Sequence, residues 1–244
     1  MCRMVGVVFR REFPIGTLND LRHVAEVGRV PGHEMPGHRD GWGVVSFRKG
    51  SPWYIGRSAR EAFLDPSFDS ALDEVARVEP PNILIAHVRA LSKGDASLPN
   101  THPFIMGSLV LAHNGTVMEY RPRTKNSPKG TTDSELLLMR LADLVEQEQD
   151  LWSAVKALVR EDIHTHEYTA AVLLISDGRA LLGYRDYAAG SPPEYYDMRI
   201  SRAQDCVTLF QETVLGYDGK VRQLKNGELV GVSLDLETRS EMLT

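Results

Sequence analysis

Asp177-Gly178, Asp218-Gly219 and Asn226-Gly227 punctuate the last third of the chain, each between short runs rich in apolar and β-branched residues. Asp-Gly and Asn-Gly tolerate the positive φ of a tight reversal, so a chain written this way doubles back as antiparallel strands. The runs expected as strands are 168–176, 179–185, 195–202, 206–211, 220–225 and 228–235. A sheet made this way must bury one face, which the rest of the chain has to cover.

The first two thirds supply the cover. Strands are expected at 3–9, 44–48, 52–56, 82–90, 104–106 and 108–113, with a turn at Lys49-Gly50-Ser51 and a Gly/Pro/His loop at 31–38. Helices are expected at 19–27, 67–78, 133–148 and 151–161. In 67–78, Phe68, Ala71, Leu72, Val75 and Val78 recur at helical spacing. Thr131-Thr132-Asp133-Ser134-Glu135 is a helix start, with a hydroxyl cap and acids in the first turn. Strands with two clusters of helices predict the α+β class: two packed sheets with helices outside.

Charge and cysteine usage remove several function classes. The 244 residues carry a net charge of −5 with no Lys/Arg block, which argues against a nucleic-acid partner. Apolar runs fall far short of the ~18 residues of a membrane span. The start Met1-Cys2-Arg3-Met4-Val5 lacks the charge-first pattern of a signal peptide, so a cytoplasmic location is expected. Cys2 and Cys206 cannot build a disulfide framework, and no CxxC pair suggests zinc. Cys206 reads as a small buried hydrophobe. His33 and His38, and the run Asp162-Ile163-His164-Thr165-His166-Glu167, lack metal-ligand geometry and read as solvated loops; no metal is expected. No glycine-rich phosphate loop is present.

Cys2 differs because of where it stands. Methionine is generally removed before a small residue, and removal leaves a thiol and a free α-amine on one residue. That amine, with an ordinary pKa of about 7.7–8.0, is a suitable general base for the thiol. The other motifs, in order, are Asp40-Gly41-Trp42-Gly43, His87-Val88-Arg89, Asn100-Thr101-His102-Pro103-Phe104, His113-Asn114-Gly115 and Thr132-Asp133-Ser134-Glu135. Together they offer what cleavage of a glutamine side-chain amide requires. Arg89 can hold the substrate carboxylate and Asp133 its ammonium. The Asn114 side-chain NH₂ and the Gly115 backbone N–H can face the oxyanion of the tetrahedral intermediate. His87 and His113, each after an apolar run, read as satisfied core histidines.

This ordered set resembles the class II glutamine amidotransferases, which are N-terminal-nucleophile hydrolases. The resemblance implies a four-layer αββα sandwich and one domain over 1–244, with the motifs inside 2–135 and the remainder assigned by strand content. It implies Cys2 as nucleophile with its own amine as base, Arg89 and Asp133 as substrate clamps, and Asn114 with Gly115 as oxyanion hole. Ser92 stands where the family often has a substrate-contacting Thr, and His102 and Trp42 are expected to shape the site. No cofactor is implied. Gly37-His38 and Ala90 stand where synthetase-fused members tend to have Arg-Gly and Trp, a pattern nearer to free-standing members.

The expected activity is therefore a glutaminase or amidotransferase acting on glutamine or another γ-glutamyl compound. A separate synthetase or acceptor subunit would serve as partner if the ammonia is used. Two alternatives keep the pocket: a γ-glutamyl peptide or conjugate hydrolase of thiol metabolism, and a non-catalytic glutamine-binding subunit.

Overall fold

The computed structural model describes residues 2–91, 95–213 and 220–243. The chain starts with β1 (Arg3–Phe9), helix α1 (Gly16–Val27), the hairpin β2 (Trp42–Arg48) and β3 (Ser51–Ser58), helix α2 (Pro66–Val75) and β4 (Asn82–Val88). A second hairpin, β5 (Phe104–Met106) and β6 (Leu109–Val117), precedes helices α3 (Asp133–Glu148) and α4 (Leu151–Ala157). The remaining strands are β7 (Tyr168–Ser176), β8 (Ala180–Arg185), β9 (Arg199–Arg202), β10 (Cys206–Phe210), β11 (Lys220–Gln223), β12 (Glu228–Ser233) and β13 (Thr238–Met242).

They form a seven-stranded sheet in the order β11-β9-β10-β1-β4-β2-β3 and a six-stranded sheet in the order β13-β12-β8-β7-β6-β5. Strand periodicity sorts the side chains into three apolar layers. Met4, Val8, Ile83 and Ile85 of the first sheet meet Val110, Ala112, Val172 and Leu174 of the second. The alternate residues Val5, Val7 and Phe9 face α1 and α2 through Leu18, Leu21, Phe68 and Ala71. On the far side Leu109, Leu111, Ala171 and Leu173 face α3 and α4 through Leu137, Leu141 and Val155. The result is a four-layer αββα sandwich of the N-terminal-nucleophile type. Burying each of the larger side chains contributes about 1.5–3 kcal/mol, so the layering is set by burial. Among the described residues no helix is long and apolar enough to cross a membrane.

The differences from expectation have local causes. Helix α1 starts at Gly16 rather than at 19, and the helix expected over 151–161 passes at Leu158–Ile163 into wider π-type turns. Of 195–202 only Arg199–Arg202 is strand; Tyr195 lies in a turn closed by its N–H to Pro192 O at 3.1 Å. Pro192 and Pro193 cannot donate to a ladder, and Tyr195 and Tyr196 bury instead in the inter-sheet layer. Strand β13 was not foreseen: its residues are mostly exposed, and it pairs with β12 at the sheet edge.

The two segments expected as solvated loops are so only in part: His33, Thr165 and Glu167 are exposed, but His38 and Asp162 are buried. His38 packs beneath α1, its Nδ1 3.3 Å from Val24 O. Asp162 accepts from Tyr120 Oη and Arg140 Nε, each at 3.0 Å. The Asp218-Gly219 turn lies outside the described residues.

Candidate active site

Cys2 precedes β1 with the parity of Met4, so its side chain is buried on the face turned toward the second sheet. Its Sγ lies 3.9 Å from Ala90 O, and its backbone nitrogen donates to Asn114 Oδ1 at 2.9 Å. Asn114 reaches that point because it shares the inward parity of Val110 and Ala112 on β6. Immediately after it the β6–β7 register shifts, between Gly115 and Val117. Gly115 has φ +145°, and a Cβ there would stand 1.8 Å from Ala170 O. Only glycine permits this irregularity, which turns the backbone next to Asn114 out of the regular ladder.

Arg89 begins the loop after β4, bracketed by the Asp40-Gly41 turn. Arg89 N–H donates to Gly41 O at 2.8 Å, Asp40 N–H to Arg89 O at 2.9 Å, and Leu91 N–H to Asp40 Oδ2 at 2.7 Å. The buried guanidinium donates through Nη1 to Asp95 O at 2.7 Å. Burial pulls Arg89 below the usual arginine range, while the negative charges of Cys2 (as thiolate), Asp40 and Asp95 oppose that pull. Cys2 and the Arg89 guanidinium therefore share one electrostatic environment.

Asn100 couples this loop to α3. Its Nδ2 donates to Asp95 Oδ1 at 2.5 Å, and its Oδ1 accepts from Thr131 N–H at 2.8 Å. Thr132 then caps α3 by accepting from Glu135 N–H at 3.3 Å, which places Asp133 first in the helix. Asp133 Oδ2 accepts from Val117 N–H at 2.7 Å, tying the helix start to the end of the irregular stretch of β6. Arg89 and Asp133 thus have separate partners, on opposite sides of the Asn100 link.

The Asp-Gly-Trp-Gly and Asn-Thr-His-Pro-Phe motifs are two halves of one contact. A Cβ on Gly43 would stand 2.4 Å from His102 O, so the second motif lies directly on the backbone of β2. His102 is buried between His87, with ring centroids 4.3 Å apart, and Phe104, at 4.5 Å. Burial, reinforced by Arg89, lowers His87 to about 3, and burial followed by the neighbouring His87 lowers His102 as well. Both rings are neutral near pH 7.

His113 is committed elsewhere. Its Nε2 lies 3.3 Å from Ala170 O, which can only accept, and its Nδ1 lies 3.0 Å from Ser134 Oγ.

Cys2, Arg89, Asn114 and Gly115 gather around the sheet ends. Asp133 joins them through Val117, and His102 through His87. Ser92 lies outside the described residues. Trp42 does not shape the site: it sits in the outer layer, edge-on to Phe68 at 4.8 Å, with Nε1 donating to Asp65 Oδ2 at 3.1 Å. Sequence reasoning gave no role to Asp40, Asp95, Asn100 or Gln211. Asn100 and Asp40 lay inside recognised motifs; Gln211 carried no signal at all.

A family model described as glutamine amidotransferases class-II matches residues 1–199. An uncharacterized protein of Methanocaldococcus jannaschii is 29% identical over 198 residues, covering 77% of this chain and 51% of that protein. The Escherichia coli K12 protein YafJ, provisionally named a glutamine amidotransferase, is 30% identical over 162 residues, covering 60% of each. The chain thus spans between 51% and 60% of the length of these relatives. A solved glutamine aminotransferase class-II domain protein from Silicibacter pomeroyi shares the fold, with a TM-score of 0.57, 18% identity and 98% of both chains covered.

Proposed function

The chain belongs to the class II glutamine amidotransferases, and from that premise we propose that it cleaves the γ-amide of glutamine through Cys2, releasing glutamate and ammonia. The observation that carries this is the triple placement of Cys2. Its thiol lies beside the Arg89 loop, its nitrogen touches Asn114, and Asn114 adjoins the glycine-only turn at Gly115.

Arg89 and Asp133 bind the carboxylate and ammonium of the substrate. Once Met1 is removed, the Cys2 nitrogen is an amine that takes the thiol proton as Sγ attacks the γ-carbonyl. Asn114 Nδ2 and the Gly115 N–H face the oxyanion. The proton passes to the departing nitrogen, which leaves as ammonia. Water then adds to the thioester, and glutamate departs with the thiol restored. His102 holds the surface under the Arg89 loop and stays neutral. The whole of 1–244 acts as one amidotransferase unit, a proposal supported by strands β9–β13 completing both sheets.

Glutamate release by the wild type, Cys2→Ala and Asn114→Ala tests the reading. Cys2→Ala should abolish turnover, and Asn114→Ala should lower kcat on the order of 10²–10³-fold. Near-normal turnover by either variant rejects the assignment.

A further inference from the structure

Gln211 lies beyond the last residue of the family match and directly after β10. It extends the β1–β10 ladder, its N–H donating to Met4 O at 3.1 Å, so the strand pair that presents Cys2 also presents Gln211. The side chain is buried. Its Nε2 donates to Asp197 O at 3.0 Å, and its Oε1 accepts from Asn114 Nδ2 at 3.3 Å.

These contacts leave no freedom in how two amides point. Asp197 O is a main-chain carbonyl and can only accept, so Gln211 must turn Nε2 toward it. Oε1 then faces Asn114 and selects its Nδ2. That selection leaves Asn114 Oδ1 toward Cys2 N, at 2.9 Å. Rotating either amide by half a turn would set NH₂ against NH₂ and oxygen against oxygen, leaving buried groups unsatisfied at about 1–3 kcal/mol each.

We propose that Gln211 is a positioning residue for amide cleavage. It fixes Asn114 with Oδ1 on the α-nitrogen of Cys2 and with one Nδ2 hydrogen tied down, so that the second hydrogen points to the oxyanion. The proposal rests on the Cys2–Asn114 reading above. Without Gln211, Asn114 can present its oxygen to the developing negative charge. That rotation repels the transition state while leaving the Arg89 and Asp133 clamps for the ground state untouched.

The test compares wild type, Gln211→Leu and Gln211→Glu by glutamate release and thermal melting. In Gln211→Leu, kcat should fall about tenfold or more while KM for glutamine stays within about twofold. Gln211→Glu keeps the acceptor for Asn114, but it can donate to Asp197 O only when protonated. Its kcat relative to wild type should therefore climb as pH is lowered from about 8 to about 5.5. A wild-type kcat in Gln211→Leu, or a raised KM at unchanged kcat, overturns the proposal. So does a Gln211→Glu ratio that is flat with pH, and that ratio decides alone should the leucine variant not fold.

A wild type that releases no glutamate removes the glutaminase reading by itself. The positioning role is then judged by covalent labelling of Cys2 with a glutamine-mimicking diazoketone at saturation. Slower labelling in Gln211→Leu sustains it, and equal labelling overturns it.

Discussion

The backbone nitrogen of Cys2 lies 2.9 Å from Oδ1 of Asn114, a residue 112 positions further along and in the opposite sheet. That hydrogen bond joins the two sheets at Cys2. It uses the nitrogen that becomes an α-amine when Met1 is removed.

That identity gives the first expected outcome. With Met1 or an N-terminal tag retained, the nitrogen is an amide and cannot accept a proton near neutral pH, so turnover should be absent. A C-terminal tag should leave it intact. Intact mass alongside glutamate release compares the two. A glutamine-mimicking electrophile should label Cys2 and spare Cys206, whose thiol burial pushes up. Full activity with Met1 retained would reject the N-terminal-nucleophile mechanism.

Arg89→Ala and Asp133→Ala should act on binding. Each removes a charged contact present in ground and transition states alike, so KM should rise on the order of 10–100-fold with a smaller change in kcat. Asp133→Asn keeps an oxygen to accept from Val117 N–H and should fold as well as wild type, yet still bind glutamine weakly. Steady-state kinetics decide this. A collapse of kcat at constant KM moves the residue out of the clamp.

Gly115→Ala should be a folding defect before it is a catalytic one. Its Cβ would meet Ala170 O at 1.8 Å, at a φ of +145° that alanine resists. A loss of about 3 kcal/mol or more is expected in denaturant unfolding. Unchanged stability would mean that β6 can straighten past Asn114.

Acid should unfold the protein through its buried histidines. Burial holds folded His87 at about 3 against an ordinary value of 6.5, so the unfolded chain binds the proton and the folded one does not. His87 therefore contributes fully to stability above about pH 6.5, and that contribution declines as pH falls toward about 3. Each such ring adds a slope of up to about 1.4 kcal/mol per pH unit. Urea midpoints at several pH values should show this slope, and His102→Phe, which keeps the stack but removes one titrating ring, should flatten it. A midpoint independent of pH between about 7 and about 4.5 would contradict the buried neutral rings.

Several elements follow from local rules and were legible in the sequence. Strand β1 and helix α3 have the bounds expected, because a continuous apolar run and a Thr cap are properties of neighbouring residues. The motif order, beginning at Cys2, was enough to suggest the family and the site residues. Tyr195 and Tyr196 misled, since aromatic residues favour strands until two prolines and the inter-sheet core claim them. Strand β13 left no alternation to read, because an edge strand on water buries little.

What only the tertiary structure decided is which polar groups meet. Asn100 joins the Arg89 loop to the Asp133 helix, and Gln211 orients Asn114 across 97 positions of chain. Periodicity reports where apolar surface must be buried, and it does so residue by residue. A hydrogen bond between distant amides has no such trace: it exists only after the sheets have stacked and both groups have lost their water.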